Sequence, residues 1–197
     1  MAKQQWKPTT ALNPVPAVMV TCADNEGKPN IITIAWAGTI NSKPPMISIS
    51  IRKERYSYNL IKEKGQFAIN LTTRELAFAA DFCGVKSGKD LDKFEALKLT
   101  PEKASEVDVP LIKESPVNIE CVVKDIIELG SHDLFIAEVV AVNIDEKLID
   151  DSGKLCMDRA DLICYSHGEY WTLDKSLGYF GYSVTKKTKL KRNIKKR

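Results

Sequence analysis

Runs of apolar residues and their alternation with polar ones predict a chain built mainly from β-strands. Residues 47–51 alternate isoleucine with serine, which gives a strand with one apolar face. Turn-forming residues at 24–29 and a short connection at 129–133 predict two hairpins. Apolar, partly β-branched runs predict further strands at residues 17–22, 31–36, 67–71, 117–128 and 134–144, with shorter ones within 155–173.

Three short helices are predicted between these strands. Residues 56–64 are good helix formers, and Gly65 is placed to end the helix in the left-handed conformation. Residues 74–82 predict a second helix that stops near Gly84, and residues 90–97 predict a third. Strands and helices do not alternate as they do in parallel sheets. The pattern therefore favours an antiparallel barrel with a few short helices on its outside.

Length and charge divide the chain into two parts. A chain of 197 residues with 44% hydrophobic and 28% charged residues can fold as one domain, so we assign residues 1–185 to a single domain. Residues 186–197 form a basic tail with eight Lys or Arg and no acid, so the formal net charge of +3 conceals a mildly acidic domain. Such a tail can contact nucleic acid. It is also typical of a solvated terminus, and we do not expect a nucleic-acid partner.

Several classes of protein are disfavoured by what the sequence lacks. No stretch approaches the apolar length of a membrane helix and no apolar run follows the N-terminus, so we expect a cytoplasmic protein without a membrane partner. Five cysteines without a CxxC pair favour buried free thiols. Neither GxGxxG nor GxxxxGK[ST] is present, and His132 and His167 are too few and too far apart to predict a metal site.

Polar and aromatic side chains are concentrated in the first hairpin and just after it, at Asn30, Thr33, Trp36, Thr39, Asn41 and Ser42. Strand alternation puts Thr33 on the face opposite Ile32 and Ile34, so its hydroxyl points outward or into a cleft. Residues 52–58, RKERYSY, bring basic groups and hydroxyls to the start of a predicted helix. Exposed backbone N–H groups at a helix start attract anions, and a phosphate would suit this position.

Three segments in this order give the chain a recognisable signature: NIITIAWAGTINSKPPMISISIRKERYSYNLIKEKGQFAINL, ADFCGVKSGKDLDKF and LGSHDLFIAEV. They resemble the flavin reductase-like family, and within it the flavoredoxin-type branch, over residues 15–183. The resemblance implies a mainly β fold, a split β-barrel of antiparallel, Greek-key-like strands with a few short peripheral helices. It also implies a homodimer that binds flavin mononucleotide (FMN) near the subunit interface.

The resemblance implies a role for each candidate side chain. Those expected along the tail and ring of the flavin are Asn30, Thr33 and Trp36, and those expected at the edge of its isoalloxazine ring are Thr39, Asn41 and Ser42. The phosphate side corresponds to residues 52–57, with Ser57 as the hydroxyl contact and Arg52 and Lys53 as charge partners.

Three further residues are expected at the ring. Lys93 matches a lysine that approaches the flavin, where a cation would stabilise the negative charge of the reduced form. His132 matches the histidine of the family's GDH turn, and we take it as the candidate catalytic residue, where a nicotinamide could approach. Ser131 and Ala137 replace the usual Asp and Gly there. Tyr165 would border the ring and exclude water.

Each of these residues also has an ordinary structural interpretation. Trp36 can be a core aromatic, Lys93 can pair with Asp90 or Asp92 on the surface, and His132 can be a plain turn residue. The loop 84–89, with two glycines and two lysines, is a second candidate for the phosphate contact or for a lid over the ring.

We therefore expect an oxidoreductase that holds FMN without a covalent link. Its electrons would come from NAD(P)H or from a ferredoxin-like redox protein, and would pass to an acceptor. One alternative is an NAD(P)H:flavin reductase that supplies free reduced flavin. The other is a non-catalytic barrel module that binds nucleic acid through the basic tail.

Overall fold

The computed structural model of the chain describes residues 1–185, and the predicted basic tail 186–197 lies outside the described residues. The strands are β1 (Val15–Pro16), β2 (Val18–Ala23), β3 (Pro29–Ile34), β4 (Ala37–Ser42), β5 (Pro45–Ile51), β6 (Gln66–Leu71), β7 (Pro101–Glu102), β8 (Leu111–Ile112), β9 (Val117–Glu128), β10 (Asp133–Ile144), β11 (Ile163–Ser166) and β12 (Glu169–Thr172). The α-helices are α1 (Tyr56–Lys64), α2 (Ala77–Val85) and α3 (Lys93–Leu97).

Seven antiparallel strands form the main sheet, in the order β3-β2-β6-β9-β10-β5-β4. Its two edge strands, β3 and β4, follow one another in the chain with only Ala35 and Trp36 between them. The sheet must therefore curve until its edges meet, and the backbone N–H of Ser50 on β5 donates to the carbonyl of Trp36 at 2.9 Å. The predicted antiparallel barrel is therefore confirmed. Beyond that bond β3 and β5 diverge, so the barrel is split along the line between these two strands, which we call the seam.

Strand β3 is buried on both sides, which explains its nearly continuous apolar sequence. Ile32 and Ile34 point into the barrel interior, where they pack with Val20, Ile49, Phe67 and Phe135. Ile31 points outward and is covered by Ala80 of α2 and Phe94 of α3. The two short helices thus lie over the outside of the strand that borders the seam.

The element boundaries largely follow the sequence pattern, although the starts of α2 and α3 differ and four strands, β1, β4, β7 and β8, have no predicted counterpart. Helix α1 ends as predicted, with Gly65 in the left-handed conformation at φ 68°. Helix α2 begins at Ala77 because residues 73–76 form a turn instead, and α3 begins at Lys93 because the Asp92 carboxylate caps it. Strand β4 was not predicted, since its exposed residues lack an apolar face.

Glu120 on β9 is one of two charged side chains that are completely buried in the sheet, the other being Asp133 on β10. The Glu120 carboxylate accepts five hydrogen bonds of 2.6–3.1 Å from Ser105, Glu106, Val107 and Asn143. Burial alone would raise the pKa of this carboxyl, but the hydrogen bonds outweigh it and hold the pKa at about 2. Glu120 therefore fastens the loop after β7 to the sheet as a carboxylate.

Two further expectations concern the burial of the cysteine thiols and the presence of a membrane-spanning helix. Cys22, Cys83 and Cys121 are buried as predicted, whereas Cys156 and Cys164 are partly exposed, and all five are free. Within residues 1–185, no helix is both long and apolar enough to cross a membrane.

Candidate functional site

The split in the barrel opens a cavity of about 170 Å³ between β3 and β5, which we call the central cavity. Residues 32–36 form one wall, residues 50–52 form the other, and Arg55 and His132 complete it. Because β3 pairs only with β2, its other edge has no strand partner along this wall. Backbone donors and acceptors of a free strand edge are available to a ligand.

A second cavity of about 110 Å³, which we call the cationic pocket, adjoins the first and shares Ile32 and Arg55 with it. Its basic side chains are Arg55, Lys86 and Lys93, and Glu54 is its one carboxylate. The remaining lining residues are Asn30, Tyr56, Ser57, Cys83, Ser87 and Gly88. The excess of positive charge favours an anionic ligand.

Lys93 is the most informative residue of the cationic pocket because its side chain is only 4% exposed. Its ammonium donates to the carbonyls of Ile31 at 2.6 Å and Cys83 at 2.9 Å, and no carboxylate among residues 1–185 forms an ion pair with it. Burial is the main cause that lowers the pKa of Lys93. A buried charge without a counter-charge is costly, so an anion in this pocket would be strongly favoured.

The start of α1 adds neutral donors to the same pocket. Arg55 occupies the cap position in an extended conformation, with no side-chain cap and no acidic residue in the first helical turn. The first backbone N–H groups of the helix are therefore free to meet an anion. Ser57 in that turn is 1% exposed, and its hydroxyl accepts a 2.7 Å hydrogen bond from the Asn30 amide.

The loop 84–89 closes the pocket from the other side at very short range. A Cβ atom on Gly88 would lie 2.0 Å from the Asn30 side-chain oxygen, so glycine lets the backbone of this loop approach the Asn30 side chain. This loop, which the sequence offers as a second candidate for the phosphate contact, thus lines the pocket through Lys86, Ser87 and Gly88.

Trp36 and His132 face each other at the seam. Their ring centroids are 4.5 Å apart, and Trp36 is 44% exposed, so it is not a core aromatic. Ser131 Oγ lies 3.0 Å from His132 Nδ1. Burial, and then the nearby Arg52, lower the pKa of His132, which favours the neutral form of its imidazole.

A third cavity, which we call the apolar pocket, lies beyond Trp36 and measures about 410 Å³. It shares Ala35, Trp36 and Ser50 with the central cavity, and none of the described residues that line it is charged. Neighbouring cavities share lining residues, so the three lie in series along the seam, and we call this series the groove. It has positive charge at one end and apolar walls at the other.

Seven of the predicted site residues line this groove, namely Asn30, Thr33, Trp36, Arg52, Ser57, Lys93 and His132. Thr33 lines the groove, but its hydroxyl already donates a hydrogen bond to the carbonyl of Ala80 on α2. Lys93 lines the groove as well. Its side chain is buried and does not pair with Asp90 or Asp92.

The other five predicted residues lie outside the groove of a single subunit. Lys53 forms ion pairs with Glu128 at 3.3 Å and with the buried Asp133 at 3.5 Å. Tyr165 lies on β11, in register with Val15, with its ring against Tyr170. The exposed edge strand β4 carries Thr39, Asn41 and Ser42.

Arg55 is the lining residue that sequence reasoning passed over in favour of Lys53. Among the basic residues of the part of the chain that the structure describes, it alone reaches both the central cavity and the cationic pocket. The available signal was its position directly before the predicted helix, where a side chain stands beside the free N–H groups.

Comparison with known proteins gives a consistent result. The family model described as "Flavin reductase like domain" matches residues 11–172. The solved structure of flavoredoxin from Desulfovibrio vulgaris (Miyazaki F) is 33% identical, with a TM-score of 0.87 over 93% of this chain and 100% of that one. An uncharacterized protein of Archaeoglobus fulgidus is 34% identical over 149 residues, which are 76% of this chain and 83% of that protein. An NADPH-flavin oxidoreductase of Streptomyces viridifaciens is 27% identical over 129 residues, which are 64% of this chain and 65% of that protein.

Proposed function

We propose that this chain, which belongs to the flavin reductase-like family and to its flavoredoxin-type branch, binds FMN without a covalent link and transfers electrons through it. The observation that carries the proposal is the polarity of the groove, which runs from the cationic pocket to the apolar pocket. FMN has the matching polarity, with a phosphate at one end and a flat ring at the other. Together the three cavities fall in the range of about 300–1,000 Å³ that is usual for cofactor sites.

The cationic pocket would hold the phosphate. Arg55 and Lys86 supply charge, Ser57 and Ser87 supply hydroxyls, and the free N–H groups at the start of α1 supply backbone donors. Buried Lys93 would gain the counter-charge that it lacks. This placement favours the phosphate end for Lys93 over the ring contact that the resemblance implies.

The ring would lie toward the seam, beside Trp36 and His132. The free edge of β3 offers backbone groups to the polar side of the ring, and Trp36 offers an aromatic surface. FMN, when bound, supplies hydride and single-electron chemistry that protein side chains lack. Arg52, on the same wall, would stabilise negative charge there, and neutral His132 can donate or accept one hydrogen bond.

We also propose a homodimer, in which the exposed β4 residues Thr39, Asn41 and Ser42 meet the ring edge at the interface. Ala37 and Gly38 of the same strand line the apolar pocket, so β4 already borders the groove. Tyr165 is one strand removed from that pocket through its partner Val15.

Two electron donors are compatible with this site, NAD(P)H and a ferredoxin-like redox protein. The name of the Streptomyces relative supports NADPH as donor. The similarity to flavoredoxin and the buried cation in the cationic pocket support a resident cofactor over the release of free reduced flavin. The nucleic-acid alternative depends on residues 186–197, which the structure does not describe.

The test is a visible absorption spectrum of the purified protein, followed by titration of the flavin-free protein with FMN. We expect a flavin band and stoichiometric uptake of FMN, and chromatography of heat-released cofactor identifies FMN or FAD. A protein that stays colourless with FMN present contradicts the proposal. Anaerobic bleaching by NADPH, or only by a reduced ferredoxin, then separates the two donors.

A further inference from the structure

The apolar pocket extends along β4 and β5, beyond the position proposed for the flavin ring beside Trp36 and His132. Its volume of about 410 Å³ lies at the small end of the range of about 300–1,000 Å³ that is usual for small-molecule sites. Its walls are mostly apolar, and none of the described residues that line it carries a charge. Such a pocket favours an uncharged ligand, because a charged group would lose its hydration there without gaining a partner.

Two serine hydroxyls interrupt the apolar lining. Ser48 and Ser50 alternate on β5 with three isoleucines of the barrel core, so both serine side chains point outward into the apolar pocket. Both residues are half-buried, and among residues 1–185 neither hydroxyl has a hydrogen-bond partner. The two positions lie about 6.5 Å apart along the strand. The β5 wall therefore presents two free hydroxyl groups at a fixed spacing.

Gly38 leaves the space opposite Ser48 open. The two residues are register partners in the antiparallel pair of β4 and β5, so a side chain at position 38 would project on the same face as the Ser48 hydroxyl. A Cβ atom on Gly38 would have no other atom within 4 Å, and the backbone there is not left-handed. A larger residue at this position would therefore fill the pocket without straining the backbone.

We propose that the apolar pocket binds an uncharged, flat molecule of the quinone class, and that Ser48 and Ser50 each donate a hydrogen bond to one of its carbonyls. A quinone has two carbonyl oxygens on opposite sides of one apolar ring, and each can accept a hydroxyl hydrogen. Trp36 offers the ring an aromatic surface. Two free hydroxyls at a fixed spacing favour a quinone over a neutral molecule with a single polar group.

The role of this ligand rests on the proposed function, whereas its binding does not. Trp36 and Ser50 line both the apolar pocket and the central cavity, so a bound quinone would lie next to the flavin ring. In the transfer, the quinone takes two electrons and two protons from fully reduced FMN, which becomes oxidised, and both carbonyls become hydroxyls. The quinone is thus the electron acceptor of the site.

The first experiment measures binding of duroquinone to the flavin-free full-length chain by equilibrium dialysis. Duroquinone is uncharged, and methyl groups at every free ring position hinder addition to cysteine thiols. We expect saturable binding, and Ser48→Ala combined with Ser50→Ala should raise the Kd at least about fivefold, since one neutral hydrogen bond contributes about 2- to 12-fold. Gly38→Leu should raise the Kd at least about tenfold by filling the pocket. Ser166→Ala, at a half-buried strand serine outside the groove, is the matched control and should leave the Kd unchanged.

Durene, the same methylated ring without the two oxygens, separates the hydrogen bonds from the fit of the ring. The double serine variant should bind durene as the wild type does, whereas Gly38→Leu should weaken the binding of both compounds. Absence of saturable duroquinone binding, or an equal loss for durene and duroquinone in the serine variant, overturns the proposal. Displacement of duroquinone by FMN also overturns it, because the flavin ring would then occupy the pocket itself. Duroquinone binding by a chain that takes up no FMN supports the pocket and contradicts only the proposed function.

The second experiment tests the role of the ligand in the FMN-loaded protein. The flavin is reduced in the absence of oxygen, and its reoxidation is followed with duroquinone and, separately, with ferricyanide, a highly charged oxidant that an apolar pocket excludes. We expect the rate to saturate with duroquinone, and the ratio of the duroquinone rate to the ferricyanide rate should fall at least about tenfold in Gly38→Leu. A rate that does not saturate, or a ratio that Gly38→Leu leaves unchanged, refutes the assignment of the pocket to the acceptor.

Discussion

The resemblance assigns two lysines, Lys53 and Lys93, to the flavin, but the structure places only one of them in the groove. Their replacement by methionine should therefore affect FMN binding differently. Lys93 is buried in the cationic pocket with no carboxylate partner, whereas Lys53 is tied to Glu128 and Asp133 outside the groove. Lys93→Met should weaken FMN binding, and Lys53→Met should leave it unchanged. Methionine keeps the length and apolar character of the lysine stem, so only the charge is lost.

The size of the effect follows from the burial of Lys93. Truncating one partner of a buried charge pair typically costs about 2–4 kcal/mol, which raises the Kd for FMN about 30- to 700-fold. Lys53→Met should keep the Kd within about twofold, because a half-exposed ion pair contributes little to a distant site. It should instead lower Tm, since the buried Asp133 loses its ion-pair partner.

Fluorescence titration of the flavin-free variants with FMN measures both constants, and thermal unfolding of the same samples measures stability. Riboflavin, which lacks the phosphate, is the matched ligand. Lys93→Met should affect riboflavin much less than FMN if the ammonium faces the phosphate. Equal loss of affinity for both ligands would place Lys93 at the ring, and equal Kd values for the two variants would refute the assignment of the cationic pocket.

Three further predictions follow from single contacts. Gly88→Ala should push the Asn30 side chain from Ser57 and raise the Kd for FMN, while Gly27→Ala, outside the groove and with no atom within 4 Å of the added Cβ, should leave that Kd unchanged. Arg55→Gln should raise that Kd about tenfold, without a change in Tm, because it removes a charge-assisted contact. Glu120→Gln should lower the free energy of unfolding. In the wild type the contribution of the Glu120 carboxylate to this free energy is complete above pH 4.5 and is lost as the pH falls through about 2. Across this range the pH dependence of the free energy of unfolding should be up to about 3 kcal/mol larger in the wild type than in the variant.

The sequence predicts the elements well where the signal is local. The alternation at residues 47–51 and the glycine after α1 each report on their own neighbourhood, and both predictions are confirmed. The exposed strand β4 has no such signal, because its pairing with β5 is decided by the closure of the barrel.

Site residues are harder to predict because burial depends on distant segments. Lys93 lies 62 residues from its acceptor Ile31, and nothing in DLDKF distinguishes a buried ammonium from a surface one. Within RKERYSY, the backbone turn from Arg52 to Arg55 sends Lys53 toward Asp133 and leaves Arg55 at the groove. Charge pattern alone cannot choose between two neighbouring basic residues.

The position of the groove follows from topology more than from any single motif. Since β3 continues into β4 through two residues, the two edges of the sheet must meet at Trp36, whose carbonyl accepts a hydrogen bond from Ser50 of β5 before β3 and β5 diverge. The free edge of β3 is then held open by the core on one side and by α2 and α3 on the other. A ligand with hydrogen-bonding groups along one edge can complete this strand edge without any rearrangement of the sheet. The same seam brings charge from the start of α1 and aromatic surface from Trp36 within reach of one elongated molecule, which is the requirement for binding a phosphorylated flat ring.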